Sequence, residues 1–280
     1  MDTHLIRSRD ATFQKFEVLK TNRNKRHRYG EFFVEGVRNI NEAIHNGWAV
    51  RAFLSAQGVQ FSNWARQMLG NAPLHYQLLP ELMAELSGKG DTSELLAVIG
   101  MRDDEDIAPL LAGTKDGRNP LFALFDRPSN RGNLGTLLRS CDALGVSGLI
   151  ITGHAVDIYD PDVVSASMGS FFRVPFVRLS DNAKIDALFD EMRGAHAGLS
   201  IMGTTAHKQK KLYEVDMTGP MLIMLGNETD GLNQHLVDMA DVLATIPMSE
   251  TSGASSLNVS CAATALFYEV VRQRATFGGR

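Results

Sequence analysis

The chain has 280 residues, 44% of them hydrophobic and 21% charged, with a formal net charge of −4. That length is enough for two domains, the composition is ordinary for a soluble globular protein, and the net charge argues against a generally basic nucleic-acid coat. No run approaches the roughly 18 uninterrupted apolar residues of a membrane span. The opening Met1-Asp2-Thr3-His4-Leu5-Ile6-Arg7-Ser8 lacks the apolar stretch of a signal peptide. The two cysteines, Cys141 and Cys261, lie in apolar helical patterns and are expected as small buried thiols rather than a disulfide or a ligand pair. A cytoplasmic location follows as an expectation.

Residues 11–28 read as a helix running into Lys20, Arg23, Lys25, Arg26, His27 and Arg28, with no acid among them. Such a run is either a solvated face or a phosphate-binding arm. Glu31-Phe32-Phe33-Val34-Glu35-Gly36 reads as a strand ended by glycine. A helix follows over 37–45, with Val37, Ile40, Ala43 and Ile44 at helical spacing. Strand 50–54, helix 61–69, strand 74–79, helix 80–86 and strand 95–100 continue the alternation, which predicts an α/β layer domain of about a hundred residues. Asp103, Asp104, Glu105 and Asp106, followed by the glycine-containing stretch 112–120, mark a linker. The expected partition is a smaller α/β domain over 1–105, a linker over 106–119 and a second domain over 120–280.

The second half alternates more apolar strands, at 121–126, 148–152, 175–179, 199–204, 221–225 and 242–246, with helices at 134–144, 162–171, 183–192, 232–239 and 256–274. Several strands lack polar alternation, as expected of a parallel sheet covered on both faces. Such sheets bind ligands at the carboxyl ends of their strands. A second basic cluster, Lys208, Lys210 and Lys211 beside His207, falls between two of these strands.

Polar and glycine residues gather after three strands. After 121–126 comes Arg127-Pro128-Ser129-Asn130-Arg131-Gly132-Asn133-Leu134-Gly135. The helix it enters carries an apolar stripe of Leu134, Leu137, Leu138, Cys141 and Leu144, with Arg139 nearly opposite at about 100° per residue. Arg139 is therefore either solvent-facing or part of a polar site shared with Asn130 and Asn133. After 221–225 comes Gly226-Asn227-Glu228-Thr229-Asp230-Gly231-Leu232, whose two glycines allow a tight turn and close approach to a ligand. Glu228 either hydrogen-bonds a ligand or caps the helix that starts near Leu232. After 242–246, Pro247 stops the strand, a serine-rich loop follows, and a helix is expected to start near Ser255 or Ser256. Asn258 and Ser260 then stand as polar side chains in its first turn.

No Gly-x-Gly-x-x-Gly is present, Gly88-Lys89-Gly90 coming nearest, and no phosphate loop, hydrolase elbow, His-Glu-x-x-His or Cys-x-x-Cys, so a nucleotide-binding fingerprint and a metal site are not expected. Composition and periodicity alone stop at an α/β protein with a glycine-lined polar site and a basic arm.

In this order the three clusters resemble the three motifs of the SpoU/TrmH family of RNA 2′-O-ribose methyltransferases. Asn130-Arg131-Gly132-Asn133-Leu134-Gly135-Thr136-Leu137-Leu138-Arg139-Ser140 looks like the first. Leu225-Gly226-Asn227-Glu228-Thr229-Asp230-Gly231-Leu232 looks like the second. Ile246-Pro247-Met248 with Ser255-Ser256-Leu257-Asn258-Val259-Ser260 looks like the third. Phe33-Val34-Glu35-Gly36-Val37-Arg38 is similar to the ribosomal-protein-like substrate-binding domain of many members. The resemblance implies a C-terminal parallel-sheet domain tied in a deep trefoil knot, a feature otherwise nearly absent from proteins. It also implies bound S-adenosyl-L-methionine, a homodimer, and a structured RNA substrate, with ribosomal RNA favoured over transfer RNA. By position, Arg139, Asn133, Glu228, Ser256 and Asn258 match the catalytic residues. Leu225, Gly226, Gly231, Ile246, Met248 and Leu257 match the cofactor wall. Arg23, Lys25, Arg26, Arg28 and Arg131 are the expected RNA contacts. Arg131 stands where proline is common, and the 249–254 loop is longer than the common version. The alternative reading is a catalytically silent RNA-binding or assembly factor on the same fold.

Overall fold

The protein is described by a computed structural model covering residues 2–88, 93–114, 116–205, 209–254 and 256–277. Its contacts divide the chain into two units, Met1–Arg102 with Asp157–Arg173, and Asp103–Val156 with Val174–Arg280.

The first unit begins with β1 (Asp2–Ile6), α1 (Ala11–Thr21), α2 (Arg23–Tyr29), β2 (Glu31–Glu35) and α3 (Val37–His45). It continues with β3 (Val50–Ala56), α4 (Asn63–Leu69), β4 (Leu74–Leu78), α5 (Pro80–Leu86) and β5 (Leu96–Gly100). Its five strands order as β1-β4-β3-β5-β2. β4 runs parallel to β1 and β3, while β5 runs antiparallel to β3 and β2. The single helix expected over 11–28 is two helices. Asn22 breaks it by adopting an extended backbone and turning its side chain to the Lys25 N–H at 3.1 Å, the local competition by which asparagine favours helix starts over helix interiors.

Residues on β2 alternate between two apolar layers because strand side chains point to opposite faces. Phe33 joins Phe13, Phe16, Leu19, Leu54 and Val98 on one side. Phe32 packs against Tyr159, Phe171 and Trp48, with ring centroids at 5.1, 5.5 and 6.0 Å. Residues 157–173, expected within the 120–280 domain, therefore pack in the first unit, and the Trp48 indole N–H donates to the Phe172 carbonyl at 3.0 Å.

A second tie takes Arg26 away from the surface. Arg26, expected to reach RNA, is 1% exposed. Its guanidinium donates to Asp157 at 2.7 Å and Asp160 at 3.3 Å, and to the Leu19 and Lys20 carbonyls at 3.1 and 3.2 Å. A buried cation needs that degree of pairing, and none of its capacity is left for a phosphate.

The second unit contains α6 (Ala108–Leu111), β6 (Leu121–Asp126), α7 (Arg131–Ala143) and β7 (Gly148–Thr152). The chain then passes through α8 (Pro161–Ala166) in the first unit and returns as β8 (Phe176–Leu179), α9 (Asn182–Ala195), β9 (Ser200–Thr204), β10 (Lys210–Lys211) and β11 (Met221–Leu225). It ends with α10 (Gln234–Asp238), β12 (Val242–Thr245) and α11 (Val259–Phe277). Seven strands, all paired in parallel, order as β10-β12-β9-β11-β6-β7-β8. β6, β7 and β11 are buried at every position, as strands covered on both faces should be. One face packs Phe122, Leu124, Ile150, Leu222 and Met224 on the α9 residues Leu188, Phe189 and Met192. α7 and α11 pack on one another. α7 buries Leu134, Leu137, Leu138 and Cys141, and α11 buries Ala263, Leu266, Phe267 and Val270.

Cys261, expected to be buried, is exposed because it lies off that α11 stripe. At the far end of α11, Arg274 donates to the carbonyls of Asn119, Pro120 and Gly219 at 2.6, 3.1 and 2.6 Å. Gln273 accepts from the Met217 N–H at 2.9 Å. The helix is thereby fixed where β6 and β11 begin. Among the described residues no helix is long and apolar enough to cross a membrane.

Candidate active site

β6 and β11 are neighbours in the sheet. The chain leaves β6 for β7 on one side, while β9 and β12 lie on the other. That reversal is where an open parallel sheet leaves a crevice at its carboxyl ends, and the loops after β6, β11 and β12 all emerge there.

The start of α7 is capped twice. Asn130 accepts from the Asn133 backbone N–H at 2.9 Å. Glu228, from the loop after β11, accepts from the Ser129 N–H and hydroxyl at 3.2 and 2.8 Å, from the Asn130 N–H at 3.3 Å and from the Asn133 side-chain amide at 3.1 Å. A helix N-terminus collects unpaired N–H groups and favours a negative charge. Glu228 thus caps α7 rather than the helix that follows it, whose cap is Asn233, accepting from Leu236 N–H at 3.0 Å. Burial pushes the Glu228 carboxyl up, but the hydrogen bonds from Ser129 and Asn133 together outweigh it and hold the group below its ordinary value.

Asn133 is the centre of the constellation. Its amide donates to Glu228, its side-chain oxygen accepts from the Asn258 amide at 3.0 Å, and its carbonyl accepts from the Ser260 hydroxyl at 2.8 Å. Asn258 is also the cap of α11, its side-chain oxygen accepting from the Ser260 N–H at 2.9 Å and its carbonyl from the Ala262 N–H at 2.8 Å. The helix therefore starts later than expected, because asparagine rather than serine closes its first turn. Ser256 is exposed in the preceding loop. Ser255, like Lys89, Gly90, His207 and Lys208, lies outside the described residues.

Arg139 is exposed on α7, away from its buried stripe, with no hydrogen-bond or ion-pair partner among the described residues. It sits six residues beyond Asn133, about 9 Å along the axis at roughly 1.5 Å per residue. Of the five expected catalytic residues, the structure links Asn258, Asn133 and Glu228 in one chain and leaves Arg139 and Ser256 open to solvent.

On the expected cofactor wall, Leu225 is buried at the end of β11. A Cβ on Gly226 would stand 2.3 Å from the backbone of Gly231 and Leu232, so only glycine lets the loop close there. Gly231 has φ +71 and forms a two-way backbone bridge to Asn227. Ile246 is half-buried, whereas Met248 and Leu257 are 37% and 43% exposed. Large apolar side chains left open beside polar loops at strand ends suit a ligand with an apolar face and a polar edge, as S-adenosylmethionine has. Of the expected RNA contacts, Arg28 and Arg131 are exposed, and Arg23 and Lys25 are half-buried. Asp126 and Ser129 join the site without having been expected there. Asp126 carries one signal in the sequence, a carboxylate ending an otherwise apolar strand.

Residues 120–268 match the SpoU rRNA Methylase family and residues 10–97 match the SpoU L30e-like domain. The chain is 41% identical over 272 residues to the 23S rRNA (uridine(2479)-2′-O)-methyltransferase of Streptomyces viridochromogenes, covering 96% of this chain and 92% of that protein. The crystal structure of the SpoU methyltransferase AviRb from that organism in complex with AdoMet superposes with a TM-score of 0.87 at 40% identity, covering 96% of this chain and 99% of that one. An AdoMet-bound rRNA methyltransferase from Sinorhizobium meliloti, at 22% identity, 96% and 98% coverage and a TM-score of 0.80, shares the fold. Fold and site together define an RNA 2′-O-methyltransferase that uses S-adenosylmethionine. The chain belongs to the SpoU rRNA methylase family.

Proposed function

We propose that the enzyme methylates a ribose 2′-hydroxyl of large-subunit ribosomal RNA, with Asn133, Glu228 and Asn258 as the fixed frame of the site and Arg139 as its working cation. The observation that carries this reading is the Asn258–Asn133–Glu228 chain of hydrogen bonds, which joins the loops after three strands around one exposed arginine-bearing helix. The assignment to ribosomal RNA is supported by the 23S rRNA methyltransferase that resembles this chain over almost its whole length.

Leu225, Gly226, Gly231, Ile246, Met248 and Leu257 would hold the cofactor, which supplies an electrophilic methyl group on a sulfonium. The residues of the chain must then align the hydroxyl, and alignment alone supplies much of such a rate. Asn133 and Asn258 orient one another and the ribose, and Ser256 contacts it from the loop. Glu228 keeps α7 in place. A guanidinium keeps its proton across the ordinary pH range, so Arg139 acts as an anchor for the neighbouring phosphate and as a stabiliser of the developing alkoxide rather than as a resting base. Its forked donors fit both roles.

Lys25, Arg28, Arg23 and Arg131 supply phosphate contacts, and an unpaired or distorted loop is the favoured RNA feature. The C-terminal segment follows the knotted path of the family. Exposed Tyr268, Val271 and Phe277 on α11 support a homodimer, which sedimentation at graded concentrations checks; a monomer throughout would remove it. A cytoplasmic setting accords with an RNA substrate.

The deciding experiment supplies labelled S-adenosylmethionine with purified 23S rRNA, 16S rRNA and transfer RNA, and maps the product. Label at one ribose of 23S rRNA, appearing about a hundredfold or more slowly with Arg139→Ala, is expected. Label confined to transfer RNA would overturn the substrate, and label on a base would overturn the reaction.

A further inference from the structure

We propose that Arg127 is a positioning residue for methyl transfer, fastening loop 226–232 to the end of β6 and so setting where Glu228 and Gly231 stand. The inference rests on the reading of those two residues given above. Arg127 has φ 48, a left-handed conformation that non-glycine residues rarely hold unless their surroundings enforce it. Its backbone N–H donates to the Thr152 carbonyl at 3.1 Å, and its own carbonyl accepts from the Asn227 side-chain amide at 2.7 Å. The guanidinium donates to Asp126 at 3.0 Å and to the Gly231 carbonyl at 3.0 Å, with Asp230 at 3.8 Å.

Those contacts grip both ends of one ring. Asn227 and Gly231 exchange backbone hydrogen bonds of 3.0 Å in both directions, leaving Glu228, Thr229 and Asp230 at the tip. Arg127 holds Asn227 through its carbonyl and Gly231 through its side chain. Asp126 anchors the arginine in turn. It is fully buried, and it accepts from the Thr152 hydroxyl and the Asn233 N–H at 2.9 Å each. The space for the arginine stem is reserved as well. A Cβ at Gly153, itself at φ +65, would lie 2.6 Å from the Arg127 Cγ. Glu228 reaches α7 on its own, so the loop has two attachments, and Arg127 is the one that does not touch Asn133 or Asn258.

Arg127→Asn tests this cleanly, because asparagine tolerates the left-handed backbone while removing the guanidinium. Arg127→Lys and Glu228→Ala complete the set. The readouts are amide hydrogen exchange at Asn227 and Gly231, calorimetric affinity for S-adenosylhomocysteine, and kcat and KM. For Arg127→Asn, exchange at both amides should quicken about tenfold. S-adenosylhomocysteine binding should weaken and kcat fall, each about tenfold or more, given that a displacement of about 1 Å can cost about a hundredfold. The RNA KM should stay put. Arg127→Lys should recover part of the loss, since an ammonium can hold Asp126 without spanning to Gly231. Unchanged exchange and unchanged affinity in Arg127→Asn would overturn the proposal. If Glu228→Ala is fully active, the reading of the site fails first; if it is inactive while Arg127→Asn is not, only the positioning role fails.

Discussion

α2 and α7 each carry an arginine expected to meet substrate, Arg26 from a basic run and Arg139 from opposite an apolar stripe, and the structure treats the two in opposite ways. Arg26 is 1% exposed and is held by Asp157, Asp160 and two backbone carbonyls. Arg139 is exposed and has no partner among the described residues, on a helix whose first turn carries the Asn133 network. A guanidinium has five donors in a fixed fork. When carboxylates and carbonyls saturate them, the residue ties segments together; when they are open beside an organised polar site, it can serve a substrate. The residues flanking each arginine do not separate these cases, because the carboxylates that close off Arg26 lie more than a hundred residues away.

The largest expected effect comes from breaking the closed case. Arg26→Ala leaves Asp157 buried without its cation and should destabilise the first unit by about 3–5 kcal/mol, the usual cost of removing one partner from a buried pair. Urea midpoints would measure it. In contrast, Lys25→Ala with Arg28→Ala should leave stability within about 0.5 kcal/mol. The same pair should lower the salt slope of RNA binding by about one for each phosphate that is no longer neutralised. Equal stability loss in the two variants would erase the distinction between clasp and surface.

Arg139→Ala is the counterpart in the open case. Removal of a donor aimed at developing charge costs about a hundredfold to a thousandfold in kcat, while the melting temperature should not move. Arg139→Lys should stay well below the wild type if the forked geometry is used. A fully active lysine variant would remove that requirement.

Asn258 spans both categories, since it caps α11 and touches Asn133. Asn258→Ala should cost about 1 kcal/mol of stability through the lost cap, together with activity. Asn258→Asp keeps an excellent cap but turns a donor toward the Asn133 oxygen into an acceptor. It should fold normally and still be impaired. If the aspartate variant is as active as wild type, the Asn258–Asn133 hydrogen bond has no catalytic weight.

Much of the C-terminal sheet is legible because buried parallel strands are uninterrupted apolar runs, as in residues 121–126 and 221–225. The three polar clusters are legible as loops for the same reason, each following such a run. What cannot be read is pairing at a distance. Tyr159, Phe171 and Phe172 look like the core of their own neighbourhood, and only the Phe32 face of β2 assigns them to the first unit. Two-residue β10 and the edge strand β1, with four of its five residues exposed, carry too little apolar pattern to be seen. Glu228 and Asn258 stand out in the sequence, but their local spacing points to the wrong structural jobs. Capping by a side chain from another loop leaves no trace in that spacing, and the Asn258 cap is masked by serines that are equally good starters.

The smallest expected effect, and the sharpest on the frame itself, concerns pH. Glu228 is held below its ordinary value because hydrogen bonds from Ser129 and Asn133 outweigh the opposing effect of burial. A depressed carboxyl contributes stability that is present in full above its unfolded value, about 4.3, and that is lost as pH falls through the folded value. The stability gap between wild type and Glu228→Gln should therefore be flat from neutral pH down to the ordinary carboxylate range and then narrow toward acid. The Glu228 carboxyl carbon, followed by NMR, should titrate below a model glutamate. Donors at Ser129 and Asn133 favour the charged form, so Ser129→Ala should move that titration upward while leaving Arg139 untouched. A gap that widens toward acid, or a titration above the model value, would mean that burial rather than the α7 terminus governs Glu228, and the polar frame would then be looser than its hydrogen bonds indicate.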